Sequence, residues 1–408
     1  MSQINKSEIQ YLLSSRAVRE RCLQLFNQVK EGKSDFFLFN PEKVQETAHY
    51  VADVTIANYP DLEIPYHSRR QHFLAGNIDR IAKLKSELDL DNTNWIKTQI
   101  ELVITSVLLD AGAGPDWQFT EPATNICLGR SEGLALASYQ MFCSSGFSST
   151  NQASADAKGL MGVTTESIAK FFQVGKDNPM AGLEGRAKLI QKLGHQIISK
   201  PEFFGEENPR LGNILDPITQ HSSAGKLKAD KILEIILQAL GGIWPSRLSL
   251  HGTALGDCWK HPQVKGDGQT DKIVPFHKLS QWLSYSLLEP LEETGLEIIE
   301  LDLLTGLPEY RNGGLLLDLG TISLKDPALA KETHAADSLI IIEWRALTVC
   351  LLDEIAKEVR KILSVSSEQF PLAKVLQGGT WSAGRKIAAH MRSDRSPPLR
   401  LSSDGTVF

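Results

Sequence analysis

The 408-residue sequence predicts a mainly α protein with a few short strands. Three observations predict it. Apolar residues recur at helical spacing along most of the chain, strand-like alternation is rare and short, and no internal repeat is visible. Hydrophobic residues make up 42% and charged residues 23%, which is ample material for a core. The net charge of −6 argues against a general electrostatic grip on nucleic acid or anionic membrane. Five cysteines (22, 127, 143, 258 and 350) show no CxxC spacing and read as reduced thiols rather than a disulfide framework. The N-terminal MSQINKSEIQYLL lacks a signal peptide's apolar run, and no stretch approaches the length of a membrane span. The expectation is a soluble cytoplasmic protein.

Residues 7–29 carry Leu12, Val18, Cys22, Leu25, Phe26 and Val29 at helical spacing and read as one amphipathic helix. Residues 36–39 read as a short strand or an extended linker. Asn40-Pro41-Glu42 opens a helix to about Ala57. Residues 59–70, with two prolines, read as a loop that keeps His67, Arg69 and Arg70 close together. Helices follow at 78–89 and 94–110. The second is apolar on nearly every side and ends at Asp110, against Ala-Gly-Ala-Gly-Pro. Asp110 reads either as a ligand contact or as an acceptor for backbone hydrogen bonds. Ser131 caps a helix at 131–142 whose first turn holds Glu132, where a carboxylate suits the helix dipole. Residues 144–158 read as a mobile surface loop. Helices at 164–173, 183–199 and 229–241 follow, with 200–228 as an exposed loop or boundary. Asp257 and His261, four apart, would share a helix face suited to a metal, but no third ligand is near and no metal or other cofactor is expected.

The chain is organised around residues 274–345. A long helix starts near His277-Lys278 and ends at Gly295. Residues 296–303 read as extended, and 315–319 and 322–324 as short strands. Glu309 and Arg311 lie between Pro308 and Asn312-Gly313-Gly314, a composition that predicts a loop rather than a helix interior. Glu343 and Arg345 follow the apolar run 339–342 on a helix at 337–363. Charge beside such a run is costly to bury unless paired or used. These residues therefore read either as structural ion pairs or as a catalytic site. A short helix at 382–391 closes the pattern. Residues 1–365 read as one large helical domain, with a possible break near 200–228, and residues 366–408 as a C-terminal extension packed on it.

Several motifs together resemble a known family. IPYHSR (64–69), LLDAGAG (108–114), RSEGLALAS (130–138), LTGLPEYRNGGLL (304–316), EWRALTV (343–349), PLAKVLQGGTW (371–381) and SDGTVF (403–408) are similar to a bacterial and fungal family of unknown function. That family is tied to the uracil catabolism route that opens the pyrimidine ring and releases urea. The family pattern continues Trp-Arg-His-Phe after His67-Ser68-Arg69, where this chain has Arg70-Gln71-His72-Phe73. More distantly, the chain resembles the queuosine salvage proteins, which cleave the N-glycosidic bond of queuosine 5′-phosphate. Their Lys-Arg-Ala-Gln helix, Asp-Tyr-Arg loop and Glu-Ile-Arg-Ala helix match Lys278 and Gln281, Glu309-Tyr310-Arg311 and Glu343-Trp344-Arg345-Ala346. Here Glu309 stands where that family has an Asp.

The second resemblance implies a helical fold related to helix-hairpin-helix DNA glycosylases, and N-glycoside hydrolysis through an oxocarbenium-like ribose. It implies Glu309 as the carboxylate at the anomeric carbon, with Lys278 and Arg311 holding a 5′-phosphate or orienting Glu309. Glu343 and Arg345, as a pair, would form a supporting layer or contact the leaving group. Asp110, His67, Arg69, Glu132 and Gln281 are further candidates for binding sugar or base. The pathway association implies a nucleotide-like small-molecule substrate such as ribosylurea 5′-phosphate, with no nucleic acid and no membrane as partner. It also implies functional association with a ring-opening cyclohydrolase-like enzyme and a uracil phosphoribosyltransferase. Two other readings remain: a non-catalytic nucleotide-binding partner in that route, or a ureide or amide hydrolase.

Overall fold

The computed structural model describes residues 3–244 and 248–402. Helix accounts for 57% of it, and the strands are short and paired in twos, so the fold is mainly α. Helices of nine residues or more are α1 (Gln3–Leu12), α2 (Ser15–Lys30), α3 (Glu42–Asn58), α4 (Asn92–Leu108), α5 (Arg130–Cys143) and α6 (Leu183–Ser199). They continue as α7 (Ala229–Leu240), α8 (Lys278–Glu292), α9 (Tyr310–Asp318), α10 (Leu339–Leu363) and α11 (Trp381–Met391). The chain divides into two discontinuous units. Unit 1 comprises residues 1–67, 246–282 and 300–408; unit 2 comprises 68–245 and 283–299. Residues 278–282 of α8 thus fall in unit 1 and the rest of that helix in unit 2.

In unit 1, α10 is the central element and packs against α2 and α3. Ile342, Ala346 and Val349 on α10 share a core with Val18, Cys22 and Leu25 on α2 and with Trp259, Val274 and Phe276. The expected single helix over 7–29 is two helices. Ser14 breaks it: its hydroxyl accepts the Ala17 N–H as the cap of α2, and Ser14 itself is extended. Residues Phe37–Phe39 form a strand antiparallel to Ile322–Leu324.

The largest departure is at 304–320. The Pro- and Gly-rich composition predicts a loop, yet Tyr310–Asp318 is helical and the predicted strand at 315–319 does not form. Glu309 caps this helix, and its glycines serve close packing. A Cβ on Gly313 would lie 2.8 Å from the Trp344 ring, and one on Gly384 of α11 would meet the Arg311 carbonyl. Gly306 likewise lies against Leu352. The helix accepts the propensity cost of two glycines because packing against α10 and α11 outweighs it.

In unit 2, α4 packs on α5, and α6 packs on the short helix Ala157–Met161. Glu101 of α4 is fully buried. It accepts hydrogen bonds from Arg210 at 2.5 and 2.9 Å and from the Ala155 and Gly212 backbone N–H groups at 2.9 and 3.0 Å. This network pulls the end of the predicted surface loop 144–158 inward, and Ala155 is fully buried.

Two glycine substitutions separate packing from propensity. Gly384→Ala is expected to destabilise by about 2 kcal/mol through overpacking. Gly185→Ala, in α6 with open space around its Cα, is expected to stabilise by about 0.5–1 kcal/mol. Urea denaturation of both variants measures the difference.

Candidate functional site

Of the predicted residues in unit 1, Lys278 at the start of α8 and Arg311 in the first turn of α9 both act on Glu309. Glu309 is the N-cap of α9. Its Oε2 accepts the Arg311 N–H at 2.8 Å and its Oε1 the Asn312 N–H at 2.6 Å. Each carboxylate oxygen keeps a further lone pair. Withdrawal from water pushes the Glu309 pKa up, while those two N–H groups, Lys278 and Arg311 pull against the rise. Asn312, fully buried, donates to the Leu307 carbonyl and accepts from the Thr380 hydroxyl. The carboxylate is thereby fixed by its own helix and by the residues behind it.

Lys278 opens α8. Its backbone N–H donates to Asp257 Oδ2 at 3.0 Å, and its ammonium acts on Glu309 electrostatically. His277, just before it, has φ +50, a left-handed conformation rare for a non-glycine residue. Its ring Nε2 lies 2.8 Å from the Leu12 carbonyl, which places the proton on Nε2. Arg345 binds Asp257 through both terminal nitrogens, at 2.9 and 2.8 Å, and lies 4.1 Å over the Phe276 ring. Burial alone would raise the Asp257 pKa. The Arg345 guanidinium, with hydrogen bonds from Trp259 and Lys278, instead holds it well below the usual carboxylate range.

Arg311 donates to the Arg395 carbonyl at 2.9 Å, and its guanidinium stacks over Tyr310. Gln281, expected to meet substrate, is fully buried. It clamps Thr305, donating to the hydroxyl at 2.7 Å and accepting the backbone N–H at 3.1 Å. His67 joins the C-terminal segment. Its Nδ1 donates to Gln377 at 2.8 Å, and its backbone N–H donates to Ala373. That segment contains a π-helical turn, Leu376–Thr380. Gly378 and Gly379 let it sit against Ile64 and Val51.

Glu343 and Arg345 do not form a pair. Two residues apart on a helix they point to opposite sides. Arg345 meets Asp257, whereas Glu343 faces Ser34, Asp35 and Lys325. Glu343 is 1% exposed, and its Oε1 has no hydrogen-bond partner. Burial pushes its pKa up to about 7. Asp257 and His261 do not share a helix face either, since the strand Cys258–Lys260 separates them.

In unit 2, Arg69 is fully buried and donates to Asp110 at 2.7 Å, to the Ser106 hydroxyl at 2.7 Å and to the Ser131 carbonyl at 3.1 Å. Asp110 also accepts the Ser131 hydroxyl at 3.0 Å. The expected backbone hydrogen bonds to Asp110 are replaced by side-chain ones, from Arg69 and Ser131. Burial raises its pKa against the pull of Arg69, and the Glu132 carboxylate adds to the rise. Arg70 and Gln71, where the chain departs from the family pattern, bind Glu293 at 2.9 Å and Glu289 at 3.2 Å. Glu289 is a further acid that sequence reasoning missed, with its pKa pushed up to about 7 by burial. In the sequence Asp257 stands out only through its spacing to His261. Its separation of 88 positions from Arg345 leaves no local signal of their pairing.

A groove of about 660 Å³ in unit 1 lies elsewhere, between α2, α3 and α10. Phe26, Phe39 and Leu372 line it, together with Arg19, Lys30 and Arg360. None of the sequence-predicted residues lines it.

The family model "Protein of unknown function (DUF1688)" matches residues 11–408. The chain belongs to this family. It is 38% identical to Protein urg3 of Schizosaccharomyces pombe over 407 residues, covering 97% of this chain and 98% of the relative. It is 35% identical to Uracil catabolism protein 4 of Lachancea kluyveri over 437 aligned positions, covering 98% and 99%. The DUF1688 match spans both units, so the residues described above all lie within it. Among the described residues no helix is long and apolar enough to cross a membrane.

The buried Glu343 makes stability depend on pH. Its folded pKa, about 7, lies above the ordinary glutamate value of 4.5. The folded state therefore holds a proton that the unfolded state has lost, and this contribution is present below pH 4.5 and gone as pH rises through 7. Glu343→Gln removes the charge. Its stability advantage over the parent is expected to grow by about 2 kcal/mol between pH 5 and pH 8, measured by urea titrations at both pH values.

Proposed function

We propose that this protein is an N-glycosidase of uracil catabolism. Its substrate is a ribosylurea-type 5′-phosphate or a related nucleotide, hydrolysed to urea or base and ribose 5-phosphate. The observation that carries this reading is the Glu309 carboxylate, fixed by two backbone N–H groups at the start of α9 and flanked electrostatically by Lys278 and Arg311. The pathway is supported by the printed name of the 35%-identical relative, Uracil catabolism protein 4. The reaction class is supported by the order of the Lys278, Glu309 and Glu343 motifs, which resembles that of the queuosine salvage proteins.

In this mechanism the bond from the anomeric carbon to the urea nitrogen breaks, and its electron pair leaves with the nitrogen. Positive charge then develops on the ribose. A preorganised carboxylate stabilises that charge without reorganising at the moment of reaction. Water adds to the anomeric carbon and gives a proton to Glu309, while the departing nitrogen takes a proton from solvent or from the Lys278 ammonium. Lys278 is also suited to the phosphate, as a compact positive charge on a flexible stem.

A non-catalytic nucleotide-binding protein is the second reading. One observation favours it: both Glu309 oxygens already accept backbone N–H groups, as a helix cap does without any chemistry.

The test is to incubate the purified protein with ribosides, ribosylurea and their 5′-phosphates, and to follow urea, base and ribose phosphate by mass spectrometry. Release of urea with ribose 5-phosphate is expected, with a loss on the order of 10³-fold in Glu309→Gln. The weakened cap should cost that variant only about 1 kcal/mol of stability. Tight binding of one compound without cleavage of any would replace the enzyme by the binding protein.

A further inference from the structure

We infer that Asp257 is a positioning residue that sets where Lys278 stands beside Glu309. The inference rests on the reading of Lys278 and Glu309 as the reacting groups. Every acceptor of the Asp257 side chain is engaged. Oδ1 accepts Arg345 Nη1 at 2.9 Å and Trp259 Nε1 at 2.6 Å; Oδ2 accepts Arg345 Nη2 at 2.8 Å and the Lys278 N–H at 3.0 Å. Its carbonyl accepts the Phe276 N–H at 2.9 Å and, more weakly, that of His277 at 3.5 Å. Three consecutive residues, Phe276 to Lys278, are thus tied to one aspartate.

A buried ion pair with Arg345 would account for two of these bonds and no more. Of the others, the Trp259 bond ties in the strand Cys258–Lys260, and those to Phe276, His277 and Lys278 fall on the turn into α8. That turn contains the left-handed His277, whose ring is anchored to Leu12. A non-glycine residue persists in that conformation only when its surroundings over-determine it. Arg345 closes the arrangement by lying over Phe276. The carbonyl bonds to Phe276 and His277 would survive any side chain at 257, whereas the bond that fixes the Lys278 N–H needs the Asp257 carboxylate in place. The charged groups acting on Glu309 are Lys278 from α8 and Arg311 from α9. A shift of Lys278 would remove one of the two cations that hold the Glu309 pKa down.

Asp257→Glu tests this. It keeps the charge opposite Arg345 but places the carboxylate one methylene further out, so both sets of bonds cannot be kept. Lys278 is read directly by labelling with pyridoxal 5′-phosphate and borohydride, quantified by peptide mass spectrometry against the exposed Lys188. The expected result is a folded protein in which the Lys278 labelling rate changes at least threefold while Lys188 is unchanged. For a substrate turned over by the parent, kcat falls at least tenfold, KM stays within threefold, and the acidic limb of the pH profile moves to higher pH. That last shift follows because Glu309 loses a neighbouring cation, and a residue that only stabilised the fold would not cause it. Unchanged Lys278 labelling in the folded variant overturns the inference. If Asp257→Glu fails to fold, Arg345→Lys carries the same measurements and the same outcomes. If the parent cleaves no riboside, the glycosidase reading fails, and the labelling alone decides the positioning role.

Discussion

A guanidinium and a carboxylate taken out of water together are the constraint around which unit 1 is built. Arg345 is 1% exposed and sits on α10, the helix that also carries the core residues Ile342, Ala346 and Val349. An isolated charge at that depth would be prohibitively costly, and one partner is not enough unless geometry and further hydrogen bonds are good. Asp257 meets that requirement with two-point pairing plus bonds to an indole and a helix terminus. The pair cannot slide without exposing one charge to an apolar core. The registers of α10, the strand Cys258–Lys260 and the first turn of α8 are therefore fixed relative to each other.

Unit 2 solves the same problem with different residues. Glu101 with Arg210, Arg69 with Asp110, and Arg80 with Glu121 are each buried in at least one partner, and each guanidinium or carboxylate has additional hydrogen bonds. Arg80 makes two bonds to Glu121 and donates to the carbonyls of Phe73 and Ala75. Several of these residues carry perturbed pKa values. Such shifts mark catalytic sites and structural networks alike. The Arg69 guanidinium, for its part, donates to Asp110, to the Ser106 hydroxyl and to the Ser131 carbonyl.

The helices were legible in the sequence because burial of one face leaves a period. Boundaries of α6, α7, α10 and α11 follow directly from that pattern. What stayed illegible depends on contacts distant in sequence. Nothing near Gly313 announces that Trp344 will press against it, so Pro308 and the glycines read as loop formers when they are packing sites on a helix. The break at Ser14 was hidden because the apolar spacing continues across it. Motif order singles out Lys278, Gln281, Glu309 and Arg345 but not what each of them touches. Gln281 reads like a substrate-binding amide and is spent on Thr305, while Asp257, which organises the start of α8, carried no sign of its importance.

The motif-bearing residues sort by what their polar atoms already do. Gln281, Asn312 and Arg345 have protein partners that account for their chemistry, and Gly306, Gly313 and Gly384 are accounted for by close approach of neighbouring atoms. Glu309 differs, because its two backbone hydrogen bonds come from its own helix and fix it in orientation while leaving lone pairs unused. A residue that served only as a cap could be shorter, as Ser14 and Asp91 are at the starts of α2 and α4. Placing a longer acid beside Lys278, where withdrawal from water raises its pKa, costs stability that a plain cap would not require. That cost sets Glu309 apart from the plain caps of α2 and α4.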